Sequence, residues 1–273
     1  MLNIFGKGFI GSEFYKLYPD AIVNDRNDYE IKTDQVVYFI STIDNYNVLT
    51  DPYLDIETNL TTLIKVLESG KDRKDLVFNF ISSWFVYGNS QLPAHEDDYC
   101  NPRGFYSITK RTAEQLLISY CKTFGINYRI LRLGNVIGTT DSKASAKKNA
   151  IQYMISLVKN NQPVNLYENG DPVRDFIDVR DAARAIKLVV ELGDLNEVYN
   201  IGNGEPVRIG DVVKYAVDKT GSTSQLNSVE PSEFHKIVQT RDHYLNIKKL
   251  KDIGYTRSIP LYQTIDELIV NVQ

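Results

Sequence analysis

The 273-residue sequence predicts an α/β fold, a doubly wound parallel sheet joined to a smaller α/β unit. Three observations carry this. Short, continuously apolar runs alternate with amphipathic helical patterns through the first half, as in a parallel sheet covered on both faces. A glycine-rich loop, Gly6-x-Gly8-x-x-Gly11, follows the first of those runs. After Gly138 the texture changes to polar loops and shorter elements.

Leu2–Phe5 reads as a short buried strand, and the stretch after the glycines as a helix reaching Tyr18, where Pro19-Asp20 breaks it. Residues 21–23, 36–40, 76–81 and 128–133 read as four further strands. Leu60, Leu63, Ile64 and Leu67 mark a helix over residues 59–69. Ile108, Ala113, Leu116, Leu117, Tyr120 and Phe124 mark another over 104–124, with Gly125 as its stop. Beyond Gly138 the sequence predicts a polar loop (139–148), a helix (149–159), a strand (Val164–Tyr167) and a turn at Gly170-Asp171-Pro172. A helix over 181–192 and a strand over 198–201 follow, then short helices and loops. One spacing stands out. Only the twelve residues 24–35 separate the second and third apolar runs, too few for another strand with two crossover helices. This edge of the sheet is expected to be trimmed, with at most a vestigial strand around residues 29–32.

Composition excludes several function classes. With 31 Lys and Arg against 35 Asp and Glu, the net charge of −4 argues against a protein that wraps nucleic acid. The 42% apolar and 24% charged residues are those of a globular chain, long enough to bury a core without staples. Cys100 and Cys121 lack C-x-x-C spacing, so a reducing cytoplasm is expected and a disulfide framework is not. His95, His235 and His243 include no H-E-x-x-H, and no metal site is expected. No apolar run approaches the roughly 18 residues of a membrane span, and Leu2–Phe5 leaves no room for a signal peptide. These features point to a cytoplasmic enzyme or ligand-binding module with no membrane partner.

Gly6, Gly8 and Gly11 lie between a strand and a helix, the context in which this spacing binds a dinucleotide. The glycines, with Phe9 and Ile10 between them, allow a tight turn and close backbone approach. The helix start offers unbonded N–H groups to a pyrophosphate. A merely structural turn is the alternative. Asp25, nineteen residues after Gly6, is placed to read the ribose 2′-hydroxyl of NAD, and adjacent Arg26 to meet the 2′-phosphate of NADP. NAD is favoured; a solvated turn over residues 24–28 is the competing reading. Tyr106 and Lys110, four apart, share one helix face. That spacing recurs at Tyr215/Lys219 and Tyr244/Lys248, so alone it carries little. Tyr106 differs in opening a helix and in following Ser82-Ser83 at a strand end, where ligands bind in parallel sheets.

The ordered set Gly6–Gly11, Ser82-Ser83-x-x-Val86-Tyr87-Gly88, Asn101-Pro102-Arg103-x-x-Tyr106-x-x-x-Lys110, Arg132-x-x-Asn135-x-x-Gly138, Arg174-Asp175-Phe176-Ile177 and Tyr199-Asn200-Ile201-Gly202-x-Gly204 spans nearly the whole chain. In this it resembles the extended short-chain dehydrogenase/reductase family, the nucleotide-sugar epimerases and dehydratases. The resemblance implies a Rossmann-like dinucleotide domain over residues 1–138, which also receives 175–202. It implies a substrate-binding domain from 139–174 and 203–273. It makes Ser83, Tyr106 and Lys110 catalytic. Tyr106 would take a proton from a sugar hydroxyl as hydride leaves for the nicotinamide. Ser83 would bond the same oxygen, and Lys110 would also hold the nicotinamide ribose. A phenol near pKa 10 is a poor base at neutral pH, and the Lys110 ammonium and an oxidised nicotinamide are expected to lower it.

For a nucleoside-diphosphate sugar, the resemblance implies Asn135, Asn149, Arg174 and Arg241 as nucleotide and phosphate contacts, and Tyr167 as an aromatic contact to base or ribose. An arginine fork meets two phosphate oxygens at once, so positive charge should gather in the cleft. An ion pair of Arg174 with Asp175 or Asp178 is the alternative, as is plain core packing for Tyr167. It also implies a homodimer through the helices at 59–69 and 104–124, against the alternative of ordinary core packing.

Departures matter. Phe5 stands where the family has its first loop glycine, and Tyr38-Phe39-Ile40-Ser41 where it usually has His-Leu-Ala-Ala. Asp178 stands where relatives more often have His or Tyr. Trp84-Phe85 replaces the Asp-Glu pair of the dehydratases, and two aromatics supply neither the acid nor the base that dehydration needs. A 4-epimerase with bound NAD is the first expectation. A 4-ketoreductase of deoxysugars using NAD(P)H is the second, and a non-catalytic dinucleotide sensor the third.

Overall fold

The computed structural model describes residues 1–141 and 149–271; most of the predicted polar loop at 139–148 lies outside them. In chain order the first half contains β1 (Leu2–Phe5), α1 (Phe9–Tyr15), β2 (Ile22–Val23), β3 (Gln35–Tyr38), α2 (Pro52–Ile56), α3 (Thr62–Ser69), β4 (Val77–Ser83), α4 (Phe105–Phe124) and β5 (Asn127–Leu133). The second half contains β6 (Asn135–Ile137), α5 (Ala150–Lys159), β7 (Val164–Tyr167), β8 (Val173–Arg174), β9 (Phe176–Asp178), α6 (Val179–Leu192) and β10 (Glu197–Ile201). It closes with β11 (Val207–Arg208), α7 (Ile209–Thr220), β12 (Leu226–Val229), α8 (Glu233–Val238), α9 (Lys248–Asp252) and α10 (Leu261–Asn271).

The main sheet has the order β10-β5-β4-β3-β1-β2, and every pairing in it is parallel. Its strands alternate between two cores. Ile4 and Val37 face the side covered by Phe14 of α1 and Ile186 of α6. Phe5, Val36 and Tyr38 face the side covered by Leu63 and Leu67 of α3 and Leu117 of α4. Doubly covered strands have no polar face, which is why they read as continuous apolar runs.

A third core joins Ile151 and Ile155 of α5, Val164 of β7, Val212 and Val213 of α7, and Ile265 and Leu268 of α10. Ile137 and Phe176 pack into it, whereas Leu245, Ile247, Leu250 and Tyr255 pack against the sheet. The terminal 70 residues are more ordered than expected, because α7 and α10 have apolar faces to bury here and β12 pairs with β7. The first helix ends at Tyr15 rather than Tyr18, its last turn loosening before Pro19. The helix expected from Asp181 starts at Val179, capped by the Asp178 carboxylate, which accepts from the Arg180 N–H.

The trimmed edge is present. Between Val23 and Gln35 there is neither helix nor strand, and the chain passes directly under β1. This works because one buried side chain organises the crossing. Asn3 donates to the Ile22 carbonyl (3.0 Å) and to Asn24 Oδ1 (2.6 Å), and its own oxygen accepts from the Lys32 N–H (2.9 Å). Ile31 then drops into the second core, its N–H on the Ser69 hydroxyl and its carbonyl on Arg73. Asn3→Ala should strand these buried groups and cost about 2–4 kcal/mol in urea unfolding; an unchanged midpoint would contradict the role given to Asn3.

Candidate active site

A cleft of about 1170 Å³ opens at the carboxyl edge of the sheet, between it and the third core. The glycine loop forms one end. Gly6 is left-handed (φ +93°), and a Cβ on Gly11 would lie 2.2 Å from the Gly6 carbonyl oxygen, so neither position accepts a side chain. Gly8, Phe9, Ile10 and Gly11 line the cleft, and a Cβ on Gly8 would meet nothing within 4 Å. This leaves an open cradle beside the N-terminus of α1, where first-turn N–H groups lack helical partners. Asp25 and Arg26 are exposed just beyond β2 and outside the cleft wall.

The centre of the cleft is set by β4 and α4. Helix α4 begins at Gly104, which has no side chain to cap it. Instead Asn45, the first residue of a 3-10 turn (Asn45–Leu49) distant in sequence, presents its Oδ1 to the Ser107 N–H (3.4 Å). A Cβ on Gly104 would lie 2.1 Å from that oxygen, so glycine is required for this close approach. From the first turn onward, Tyr106, Lys110 and Glu114 form a buried stripe at successive fourth positions.

Each member of the stripe has a partner. The Tyr106 hydroxyl is met by the hydroxyls of Ser83 and Ser41, although burial outweighs them and pushes the phenol up to about 12. Lys110 Nζ donates to the Ile81 carbonyl (2.8 Å) and lies 4.3 Å above the Phe80 ring. Burial holds its pKa down at about 7, against a weaker upward pull from Glu114. Glu114 is met by Arg132 (2.9 and 3.1 Å) and Arg111 (2.7 Å), which keep it ionised despite burial. The expected lowering of the phenol by Lys110 is therefore not delivered by the chain alone, because desolvation dominates both groups.

Ser41 was missed by sequence reasoning, as were Thr42 and Asn59. Asn59 lies in a π-helical turn (Glu57–Thr61) between α2 and α3. Its amide holds Thr42 and Thr109 and accepts from the Ser41 hydroxyl, fixing that hydroxyl beside Tyr106. Asn59 was visible only as the start of an apolar periodicity, with no chemical signal of its own.

The remaining predicted residues line the same cleft. Asn135 donates weakly to the Asp175 carbonyl, and Asn149, left-handed at φ 56°, donates to Gln152 (3.0 Å) and Asp141 (3.4 Å). Tyr167 is tilted onto His235 at 4.6 Å, with its ring at the cleft wall rather than in a core. Arg174 forms no ion pair with Asp175 or Asp178. It donates to the carbonyls of Val173, Thr240 and Arg241, and burial lowers it to about 10. Asp175 instead accepts three N–H groups, from Asn203, Gly204 and Leu245, with burial raising it to about 6. Arg241 is half-exposed and pairs with Glu168 (2.7 Å) and Asp242 (2.6 Å). Among the described residues the wall carries Arg103, Lys110, Arg174, Lys236 and Arg241 against Asp44, Asp141 and Glu168. That is a positive excess on a chain of net charge −4. No group of metal-ligating side chains occurs among the described residues, and no helix there is long and apolar enough to cross a membrane.

A sequence profile of the NAD dependent epimerase/dehydratase family matches residues 25–202. A protein of Methanocaldococcus jannaschii named "Putative UDP-glucose 4-epimerase" is 29% identical over 241 residues, covering 86% of this chain and 75% of that one. The trifunctional UDP-glucose 4,6-dehydratase/UDP-4-keto-6-deoxy-D-glucose 3,5-epimerase/UDP-4-keto-L-rhamnose-reductase of Arabidopsis thaliana is 28% identical over 187 residues, or 65% of this chain. The match spans 26% of that longer protein. Among solved structures, the UDP-glucose 4-epimerase with UDP-glucose from Thermotoga maritima shares the fold. Its TM-score is 0.86 over 99% of this chain and 97% of that one, at 21% identity.

The buried Lys110 yields a test of the site's electrostatics. Between pH 7 and 10.5 the unfolded chain holds a proton here that the folded chain releases, so this group makes stability rise with pH. The stability of Lys110→Met relative to the parent should be greatest near pH 7 and decline toward pH 10.5 in urea titrations of the cofactor-free protein. A pH-independent difference would contradict the burial of a depressed ammonium.

Proposed function

Because the chain belongs to the NAD dependent epimerase/dehydratase family, we propose that it is an NAD(P)-dependent nucleotide-sugar epimerase acting at sugar C4 through a transient ketone. The observation that carries this is the meeting of Ser83, Ser41, Tyr106 and Lys110 with the glycine cradle in one cleft. The relatives named as 4-epimerases support the same reading. The dinucleotide would lie along Gly6, Gly8, Phe9, Ile10 and Gly11, its adenosine ribose toward Asp25 and Arg26 and its nicotinamide ribose toward Tyr106 and Lys110. The chemistry a bound nicotinamide supplies is a reversible hydride store at C4.

The chain's own residues do the rest. Ser83 and Ser41 orient the Tyr106 hydroxyl, which exchanges one proton with the C4 oxygen in each direction. Burial disfavours the Tyr106 phenolate, so its work as a base would draw on the positive charge that an oxidised nicotinamide would supply beside it. Lys110, anchored on Ile81 and held down at about 7 by burial, gains and loses its own proton near neutral pH. Asn135, Asn149, Arg174 and Arg241 would hold the nucleotide and diphosphate, with Tyr167 against base or ribose. Arg174 also braces the Thr240–Arg241 backbone through its carbonyl bonds, so phosphate binding and placement of Arg241 are linked. The sheet and third core serve as the dinucleotide and substrate domains respectively. A single-use 4-ketoreductase is the second reading, favoured by the reductase activity in the plant relative's name.

Tyr106→Phe should lower kcat by about a hundred- to ten-thousand-fold with little change in nucleotide-sugar affinity. Both proteins should release NAD on denaturation, read by mass spectrometry. A protein that comes up empty and turns over a 4-keto sugar only with added NADPH would be the reductase, and a parent that releases NAD but turns over no nucleotide sugar would be the sensor.

The chain is further proposed to be a cytoplasmic homodimer. Tyr53, Leu54 and Ile56 of α2, Ile64 of α3, and Ile108 and Leu116 of α4 are exposed on neighbouring helices. A second copy would cover them as a four-helix bundle. Light scattering at micromolar concentration should give twice the chain mass, and Ile108→Asp should give the single mass; a monomeric parent would overturn the dimer.

A further inference from the structure

Directly after Ser83 the chain places two aromatic rings at the cleft. Trp84, almost fully buried, is stacked between Phe85 (centroids 3.9 Å apart) and His243 (4.2 Å), and His243 stacks on Tyr87 at 6.0 Å. Phe85 is half-buried, lines the cleft and meets the Tyr106 ring edge-on at 6.1 Å. The stack behind it carries no charge. His243 is fully buried, neither ring nitrogen has a hydrogen-bond partner, and burial holds the imidazole neutral. Two guanidiniums flank the stack: Arg132, 4.7 Å from the Tyr87 ring and paired with buried Glu114, and Arg174, 5.4 Å from the Trp84 ring and bonded to three carbonyls.

We propose that Phe85, braced by Trp84 and His243, selects the sugar by receiving the C5–C6 branch beside the reacting carbon, so that the substrate carries an uncharged C6 group. This rests on the reading of Tyr106 as the group acting at C4. Of the two carbons flanking C4, C3 bears a hydroxyl and C5 bears the carbon branch. An aromatic wall one ring away from Tyr106 fits the branch. A methyl or hydroxymethyl packs on such a face through its C–H groups. A carboxylate meets the negative face of the ring and loses its hydration without a partner. The contact is also non-directional. The ketone can turn over against Phe85 without breaking a hydrogen bond.

The test compares kcat/KM for hexose, 6-deoxyhexose and hexuronate, each as its uridine and thymidine diphosphate ester, in the parent, Phe85→Leu and Phe85→Asn. Binding of each ester is followed in parallel by calorimetry. The parent should favour both neutral sugars over the uronate by roughly a hundredfold. Phe85→Leu should keep that order, and Phe85→Asn should compress it by about tenfold or more. Equal or better use of the uronate by the parent would overturn the inference, as would an unchanged ratio in Phe85→Asn with binding intact. If none of these esters, nor the guanosine diphosphate esters of the same sugars, binds the parent, the nucleotide-sugar reading itself fails and the inference with it.

Discussion

The structure depends on a helix that buries three ionisable groups where a helix ordinarily buries aliphatics. Tyr106, Lys110 and Glu114 lie under α4 at successive fourth positions, almost wholly removed from water. Each must be compensated, and each compensation fixes a neighbouring element. Arg132 ties Glu114 to β5, and Ile81 ties Lys110 to the end of β4. Ser83 of β4 and Ser41, from the segment after β3, bring hydroxyls near Tyr106 that favour its ionised form, with Asn59 holding Ser41 in turn. Polar burial at this density is costly for stability and gives α4 one position against the sheet.

The second lobe is tied to the same edge through a different buried acid. Asp175 gathers the N–H groups of Asn203, Gly204 and Leu245, so three separate chain segments converge beside the cleft. Arg174, its neighbour, faces the opposite way and holds the Thr240–Arg241 strap. Adjacent residues thereby fix the lobe and shape the proposed phosphate end. The aromatic stack from Phe85 to Tyr87 fills the space between them and leaves an apolar wall beside Tyr106.

Much of this was legible in the sequence. Buried parallel strands announce themselves as apolar runs, the glycine loop had its strand and helix, and the short interval after Val23 revealed the trimmed edge before any coordinates. Arg174, Asn149 and Tyr167 could be placed through family resemblance. What the sequence hid were contacts made by ordinary residues far apart in the chain. Asn3 under the crossover, Asn45 capping α4 and Asn59 behind Ser41 carry no motif, because an asparagine's role is set by what the fold brings near it. The burial that raises the Tyr106 phenol in the chain alone was hidden for a related reason. Sequence spacing shows the neighbouring charge, whereas desolvation depends on packing from every side.

The central claim is that hydride leaves and returns to one sugar carbon while one proton is exchanged with the oxygen on that carbon. Conversion of a nucleoside-diphosphate hexose deuterated at C4 tests it most directly, with NMR of both epimers in ordinary water. Complete retention of the label at C4 of substrate and product is the predicted result. Loss of deuterium to solvent, or its retention with inversion at another carbon, would contradict it.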